Sequence, residues 1–314
     1  MNNKLFLALA LGALSVGSVQ AQTIYSTNFE TDQSSNFTVT SSSLDNEALF
    51  NYDYATWVPT APTAGVTSIT VAPSAAGTKA LKMRGNFDLT GTNEGVTAFV
   101  NACNGLTSYS LTWDCYQLWN GPDAVSATGS TTGFTVGTAT STANPFYGGA
   151  ATFNGWFLLM TGEGGQGVSG DARYYSAATA APAVTLSKPD WRINGGTVLD
   201  TNMPGTAGTW DSIFTGTGVN YYQPAGSPGR QWVTWNIVAR PGDITVYVTP
   251  KGGVKTQIAK FGDTVNARTG FGFWDFNTGS VAVPPEDNFV LIDNLKVEYA
   301  PAIPTAASDW QMYN

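Results

Sequence analysis

The sequence predicts an all-β protein built as one two-sheet antiparallel sandwich of the jelly-roll kind, and three observations carry that expectation. Short alternating or β-branched runs recur between Gly, Pro, Asn and Asp residues, the pattern of half-buried strands closed by turns. No stretch beyond the first 21 residues holds a helical period with caps at its ends. Charged residues make up only 11% of the chain, while Trp, Tyr and Phe number 10, 13 and 16. Soluble domains average about 25% charge, so this is the composition of an aromatic-cored β protein and not of a disordered one.

Taken in order, the chain opens with MNNKLFLALALGALSVGSVQAQ. One early cation, an apolar run and small residues at Val19 and Ala21 predict a signal peptide over residues 1–21. The runs NFTVTSS, TSITVA, KALKMRG and VTAFVNA then read as strands, followed by SYSLTWDCYQLW, in which Tyr109, Leu111, Trp113 and Cys115 share one face and Ser110, Thr112, Asp114 and Tyr116 the other. TGFTVGT and PAVTLS are shorter strand signals inside segments 121–152 and 162–230, and GWFLLMTG lies between them. These segments are rich in Gly, Ser and Thr and read as long loops at the sandwich edge, where ligands bind.

The clearest unit is QWVTWNIVARPGDITVYVTP. Val233, Trp235, Ile237 and Ala239 alternate with polar positions. Pro241-Gly242 supplies a turn, since Pro presets the first central angle and Gly takes the positive one. Ile244, Val246 and Val248 then resume the inward face, so the unit is an antiparallel hairpin. TQIAKF, GFGFWDF and FVLIDNLKVEY complete the set, which fits one domain over residues 22–300 with a tail over 301–314.

Composition also excludes functions. The chain has no histidine, which removes Ser-His-Asp and Cys-His catalysis, His-ligated zinc and an imidazole base. A net charge of −8 with 14 scattered Lys and Arg residues is a poor match for nucleic acid or anionic lipid. No run beyond the signal peptide approaches the ~18 apolar residues of a membrane span. The expectation is an exported protein without membrane insertion. Cys103 and Cys115 leave two readings open: a disulfide, usual in exported chains, or two thiols, because Cys115 falls on the apolar face of its strand.

One residue stands out. In FVLIDNLKVEY, strict alternation places Phe289, Leu291, Asp293, Leu295, Val297 and Tyr299 on one face. A carboxylate there must bind a cation, accept bonds from nearby amides in a turn with Asn294, or reach solvent.

The order of NFET, SLTWDCYQLWNGP, GWFLLMTGEGGQGVSGDARYY, WVTWNIVARPGDITVYVTPKGG, GFGFWDFNTGS and FVLIDNLKVEY resembles secreted bacterial proteins with a concanavalin A-like (laminin G-like) jelly-roll sandwich. The resemblance implies that a first strand ending in Phe29-Glu30 lies beside the last strand, and that Glu30 and Asp293 share a structural Ca²⁺, with Asp287 as a further ligand candidate. Retaining glycoside hydrolases of this fold carry Glu-x-Asp-x-Glu on one strand. Here Glu30 and Asp32 have the spacing, but Ser34 stands where the third carboxylate would fall.

Sugar sites need aromatic faces beside amides and carboxylates. Candidates are Asp114 and Tyr116, then Glu163, Asp171, Arg173 and Tyr174 in and after a Gly-rich loop, and Trp274, Asp275 and Asn277 in GFWDFNTG. The resulting expectation is a secreted, non-catalytic protein that binds carbohydrate or another cell-surface polymer, or serves a structural role at the surface or in matrix. The alternatives are a polysaccharide-active enzyme, such as a lyase using Tyr174 with Arg173, and a self-assembling envelope protein. Mass spectrometry of exported protein should find Gln22 at the N-terminus, and intact Met1 would remove the signal-peptide assignment.

Overall fold

The computed structural model describes residues 21–59, 67–85, 95–118, 228–275 and 287–300 with short gaps, together with 132–138, 156–161, 172–176, 184–186, 193–194, 197–198 and 213–214. Its strands are β1 (Thr23–Thr27), β2 (Phe37–Ser41), β3 (Asn46–Asp53), β4 (Lys79–Gly85), β5 (Gly95–Val100), β6 (Tyr109–Leu118), β7 (Thr132–Thr138), β8 (Trp156–Thr161), β9 (Ala172–Ser176), β10 (Val184–Leu186), β11 (Ile193–Asn194), β12 (Thr197–Val198), β13 (Trp232–Arg240), β14 (Asp243–Pro250), β15 (Thr256–Phe261), β16 (Thr269–Asp275) and β17 (Phe289–Tyr299). The ten-stranded sheet runs β12-β11-β15-β14-β13-β6-β17-β4-β3, with β1 also paired to β17, and the seven-stranded sheet runs β10-β9-β8-β7-β16-β5-β2. Pairing is antiparallel except between β11 and β15.

The two sheets pack face to face. Trp113 of β6 stacks on Trp235 of β13 at 6.2 Å and meets Phe271 of β16, in the other sheet, edge-on at 5.1 Å. Trp156 of β8 meets Phe261 of β15 at 5.0 Å. Offset and edge-on ring pairs of this kind add to the burial of their large apolar area. The predicted inward faces are all in this core: Tyr109, Leu111, Trp113 and Cys115; Val233, Trp235, Ile237 and Ala239; Ile244, Val246 and Val248. The β13/β14 hairpin closes on Arg240 opposite Asp243, with Gly242 at φ 73° as the turn requires.

Two expectations change, and one left open is decided. TSITVA is not a strand: Ile69 and Ala72 belong to a loop that packs with Tyr54 and Trp57 over the outer face of the large sheet. There they bury Tyr116, Leu118, Trp232, Phe289 and Leu291, and so build a second core. β17 is therefore apolar on both faces, which strict alternation does not reveal. Second, the alternation in β17 is broken by a bulge between Asp293 and Lys296, with Asn294 at φ 48°. Two residues of β17 then oppose one of β6, and the facing inverts. Phe289 and Leu291 lie on the outer face, whereas Leu295 and Val297 join Val290 and Ile292 in the inner core.

Cys103 and Cys115 are free and buried. Cys103 closes a turn in which Leu106 N–H donates to its carbonyl at 3.1 Å and Gly105 takes φ 77°, while Cys115 sits mid-strand in β6. Burial pushes the Cys103 thiol up to about 12 and also raises that of Cys115, so both remain protonated and unreactive.

Trp113 is fully buried at the meeting of the two sheets. Trp113→Ala should lower the unfolding free energy by about 3–5 kcal/mol, read as an earlier urea midpoint at unchanged slope.

Candidate functional site

The bulge in β17 also answers what surrounds Asp293. It lies directly opposite Asp114 of β6, and each residue is only 1% exposed. Side by side on adjacent strands, two carboxylates repel unless something intervenes. Here the bulged residue itself intervenes. The Asn294 backbone N–H donates to Asp293 Oδ1 at 2.7 Å, and its side-chain Nδ2 donates to Asp114 Oδ2 at 2.7 Å. The Thr234 hydroxyl donates to Asp114 Oδ1. The left-handed angle this requires is one that Asn tolerates and most side chains do not.

A third carboxylate arrives from the N-terminal side. β1 pairs with the second half of β17 and β4 with the first half, so the two meet beside the bulge. Phe29, at φ 54°, turns the chain after β1. Lys79 N–H then donates to Glu30 Oε1 at 3.0 Å. Gly77 makes room for that carboxylate, since a Cβ there would lie 1.9 Å from Oε1. The Tyr54 hydroxyl donates to the Gly77 carbonyl at 3.3 Å. Burial pushes the Asp293 carboxyl up to about 7; the Asn294 N–H opposes this, and the charges of Asp114 and Glu30 add to it. Burial likewise pushes the Tyr54 hydroxyl up to about 12, with Asp293, Glu30 and Asp53 contributing.

Of the expected calcium ligands, Glu30 and Asp293 lie close enough for their charges to interact, and Asp287 stands apart from them. Both oxygens of Asp114 and one of Glu30 already accept hydrogen bonds. Among the described residues, no group of three or more Asp, Glu, Cys or His side chains is placed to hold a metal ion. Asp287 stands at the far end of β17, where it accepts from the Trp57 indole at 3.2 Å. Six residues of near-extended chain separate it from Asp293 by roughly 20 Å. Asp293 Oδ1 accepts the Asn294 N–H, and burial raises the pKa of the carboxyl to about 7.

Beyond the second core, the outer face of the large sheet is polar and partly open. Cross-strand register aligns Lys296 of β17, Thr112 of β6, Asn236 of β13, Tyr247 of β14 and Gln257 of β15 in one row. Asn236 Nδ2 donates to Thr112 Oγ1 at 2.7 Å, to Ser110 Oγ at 3.0 Å and to the Leu111 carbonyl at 3.3 Å. Thr112 and Ser110 thereby act as acceptors, and each hydroxyl keeps a proton to donate.

The described ligand-binding candidates do not converge on this face. Tyr116 shares it but is buried against Trp232 at 5.5 Å, and Asp114 is closed off as described. Arg173 and Tyr174 lie on β9 and Trp274 and Asp275 on β16, both in the other sheet, with β8 and β7 between them. Register puts Arg173 in the row of Leu159, Thr135 and Gly272, two positions from Trp274. Glu163, Asp171 and Asn277 lie outside the described residues. Sequence reading passed over Tyr54, which opens a short 3-10 turn after β3, and Thr234, Asn236 and Tyr247, whose only signal is a polar position on an alternating strand.

No family model matches the chain, and no curated protein does. Among solved structures, it is similar to a protein of unknown function with a galectin-like fold from Bacillus subtilis (7% identity, 88% of this chain and 96% of that one, TM-score 0.45). It is also similar to the Ca²⁺-bound exoplasmic/lumenal domain of VIP36 (6%, 89% and 90%, 0.43) and to the Emp46p carbohydrate recognition domain (12%, 90% and 100%, 0.43). At TM-scores below 0.5, none of these likenesses bears on what this chain binds.

The carboxylate site makes stability depend on pH. The folded state holds the Asp293 proton up to about 7, against an ordinary value of 3.8. It therefore binds more protons than the unfolded chain between those values, and its stability falls as pH rises through that window. Wild type should lose on the order of 2 kcal/mol between pH 5 and pH 8, and Asp293→Asn should lose far less over the same range. Calcium that raised the melting temperature of wild type at pH 8 and left Asp293→Asn unmoved would place an ion there instead of a proton.

Proposed function

We propose that this is a secreted, non-catalytic glycan-binding protein. The observation that carries the reading is the partly exposed row of hydroxyl, phenol and amide side chains across the outer face of the ten-stranded sheet, Thr112, Tyr247 and Gln257, set around the buried Asn236. Such groups hydrogen-bond sugar hydroxyls from a rigid platform whose backbone is already ordered, so little conformational entropy is lost on binding. Export is supported by the N-terminal signal sequence, and no helix among the described residues is long and apolar enough to cross a membrane.

The non-catalytic part of the reading is supported by the closed state of the Asp114/Asp293 pair. Neighbouring strands bring the two carboxyls near the separation used by retaining glycosidases, about 5 Å. Each is 1% exposed, and Asp114 is bonded at both oxygens, so a glycosidic bond has no access to them.

An array of neutral and acidic glycans, run beside a reducing-end release assay on the same polymers, tests the proposal. Retention on at least one glycan class without oligosaccharide release is expected. Release that Glu163→Gln or Tyr174→Phe abolished would establish an enzyme in its place, and failure to bind any glycan would leave a structural role.

A further inference from the structure

The row across the outer sheet face carries a cation whose surroundings differ from those of the other described cations that pair with acids. Lys82 and Arg84 reach Glu47, Arg240 and Lys260 reach Asp243, and Lys296 reaches Glu298. Lys255, just ahead of β15, makes no ion pair with a described carboxylate. Its Nζ donates to Asn236 Oδ1 at 2.9 Å and sits 4.4 Å from the centre of the Tyr247 ring. The residue as a whole is exposed, yet burial of its ammonium group lowers its pKa from 10.5. A partly desolvated ammonium without a carboxylate among the described residues is one that a ligand's anion would complete.

The position is also fixed. Asn236 is buried and held by the three bonds its amide donates to β6, so its carbonyl oxygen points at Lys255 from a rigid base. The Tyr247 ring supports the ammonium from the side by a cation–π contact. An ammonium has three donors. Asn236 takes one of them, which leaves two for a ligand.

We propose that this face is a subsite for an acidic polysaccharide, with the Lys255 ammonium receiving a carboxylate or sulfate group and the hydroxyls of Thr112 and Thr234 meeting neighbouring sugar hydroxyls. The inference rests on the glycan-binding reading and names the substrate class. The row from Lys296 to Gln257 crosses five strands, or about 19 Å at the usual strand spacing, and Lys255 stands over Asn236 and Tyr247 within it. Asn236 and Tyr247 are positioning residues. The charge that selects the ligand is that of Lys255.

Isothermal titration at low salt with polygalacturonate, dextran sulfate and neutral dextran tests this on the whole chain from Gln22, using Lys255→Gln, Lys255→Arg and, as a control, the exposed Lys251→Gln. Expected is binding to polygalacturonate, dextran sulfate or both, which identifies the carboxylate or sulfate as the preferred group. Lys255→Gln should weaken it about tenfold, as loss of a charge-assisted hydrogen bond does, while Lys255→Arg and Lys251→Gln should retain it. Equal weakening by Lys251→Gln and Lys255→Gln would reduce the effect to general ion exchange and overturn the subsite. Binding to a neutral glycan that Lys255→Gln leaves unchanged, without acidic binding, would overturn the subsite and preserve the glycan-binding reading. Absence of binding to any glycan, here and on the array, would overturn both.

Discussion

The architecture of the large sheet depends on one irregularity, the bulge at Asp293-Asn294 in its central strand. β17 pairs with β6 along one edge, and its other edge is shared by β4 before the bulge and β1 after it. A regular strand would have carried Leu295 and Val297 to the outer face, where the second core does not extend. Inserting one residue in the left-handed conformation returns them to the inner core. It also leaves a gap between β4 and β1, into which Glu30 reaches to take the Lys79 amide. Regular pairing up to Asp293 sets it opposite Asp114, and the bulge that follows supplies the Asn294 side chain that bridges to Asp114.

The outer face of the same sheet is divided by what covers it. Tyr54, Trp57, Ile69 and Ala72 fold over one end and bury Trp232, Phe289 and Leu291 there. The Trp232 indole donates to the Thr70 carbonyl and the Trp57 indole to Asp287, so each buried N–H has a partner. The other end presents Thr112, Tyr247 and Lys255. The carboxylate cluster stands at the boundary. A polar group that enters an apolar region at its edge can be satisfied by neighbours that remain polar, which is the position of Thr234 and Asn294.

Most of the strands were legible because their alternation is unbroken. The hairpin from Trp232 to Pro250 has the predicted inner face and the predicted Pro-Gly turn. β3 was not legible. Asn51, at φ 61°, interrupts its pairing between Leu49 and Tyr52, which erases the period that would have marked it. TSITVA carried a strand signal that tertiary packing overrode, because its two buried residues serve as a lid on another strand's face. The cysteines followed their local pattern over the general habit of exported chains, since mid-strand burial keeps Cys115 away from the turn that holds Cys103.

The amino-acid sequence by itself determined the all-β class, the inward faces of β6, β13 and β14, and the absence of imidazole chemistry, because each follows from residue identity and a period of two along the chain. Only the tertiary structure decided which carboxylates meet. Asp114 and Asp293 lie 179 positions apart, and nothing local to either predicts a partner across β6 and β17. The same holds for Lys255, an unremarkable lysine after a turn until β13 and β14 set Asn236 and Tyr247 beside it. Pairing between distant strands is fixed by the burial of whole faces and by the bulges that adjust them, and those are properties of the folded sheet that no short window of sequence contains.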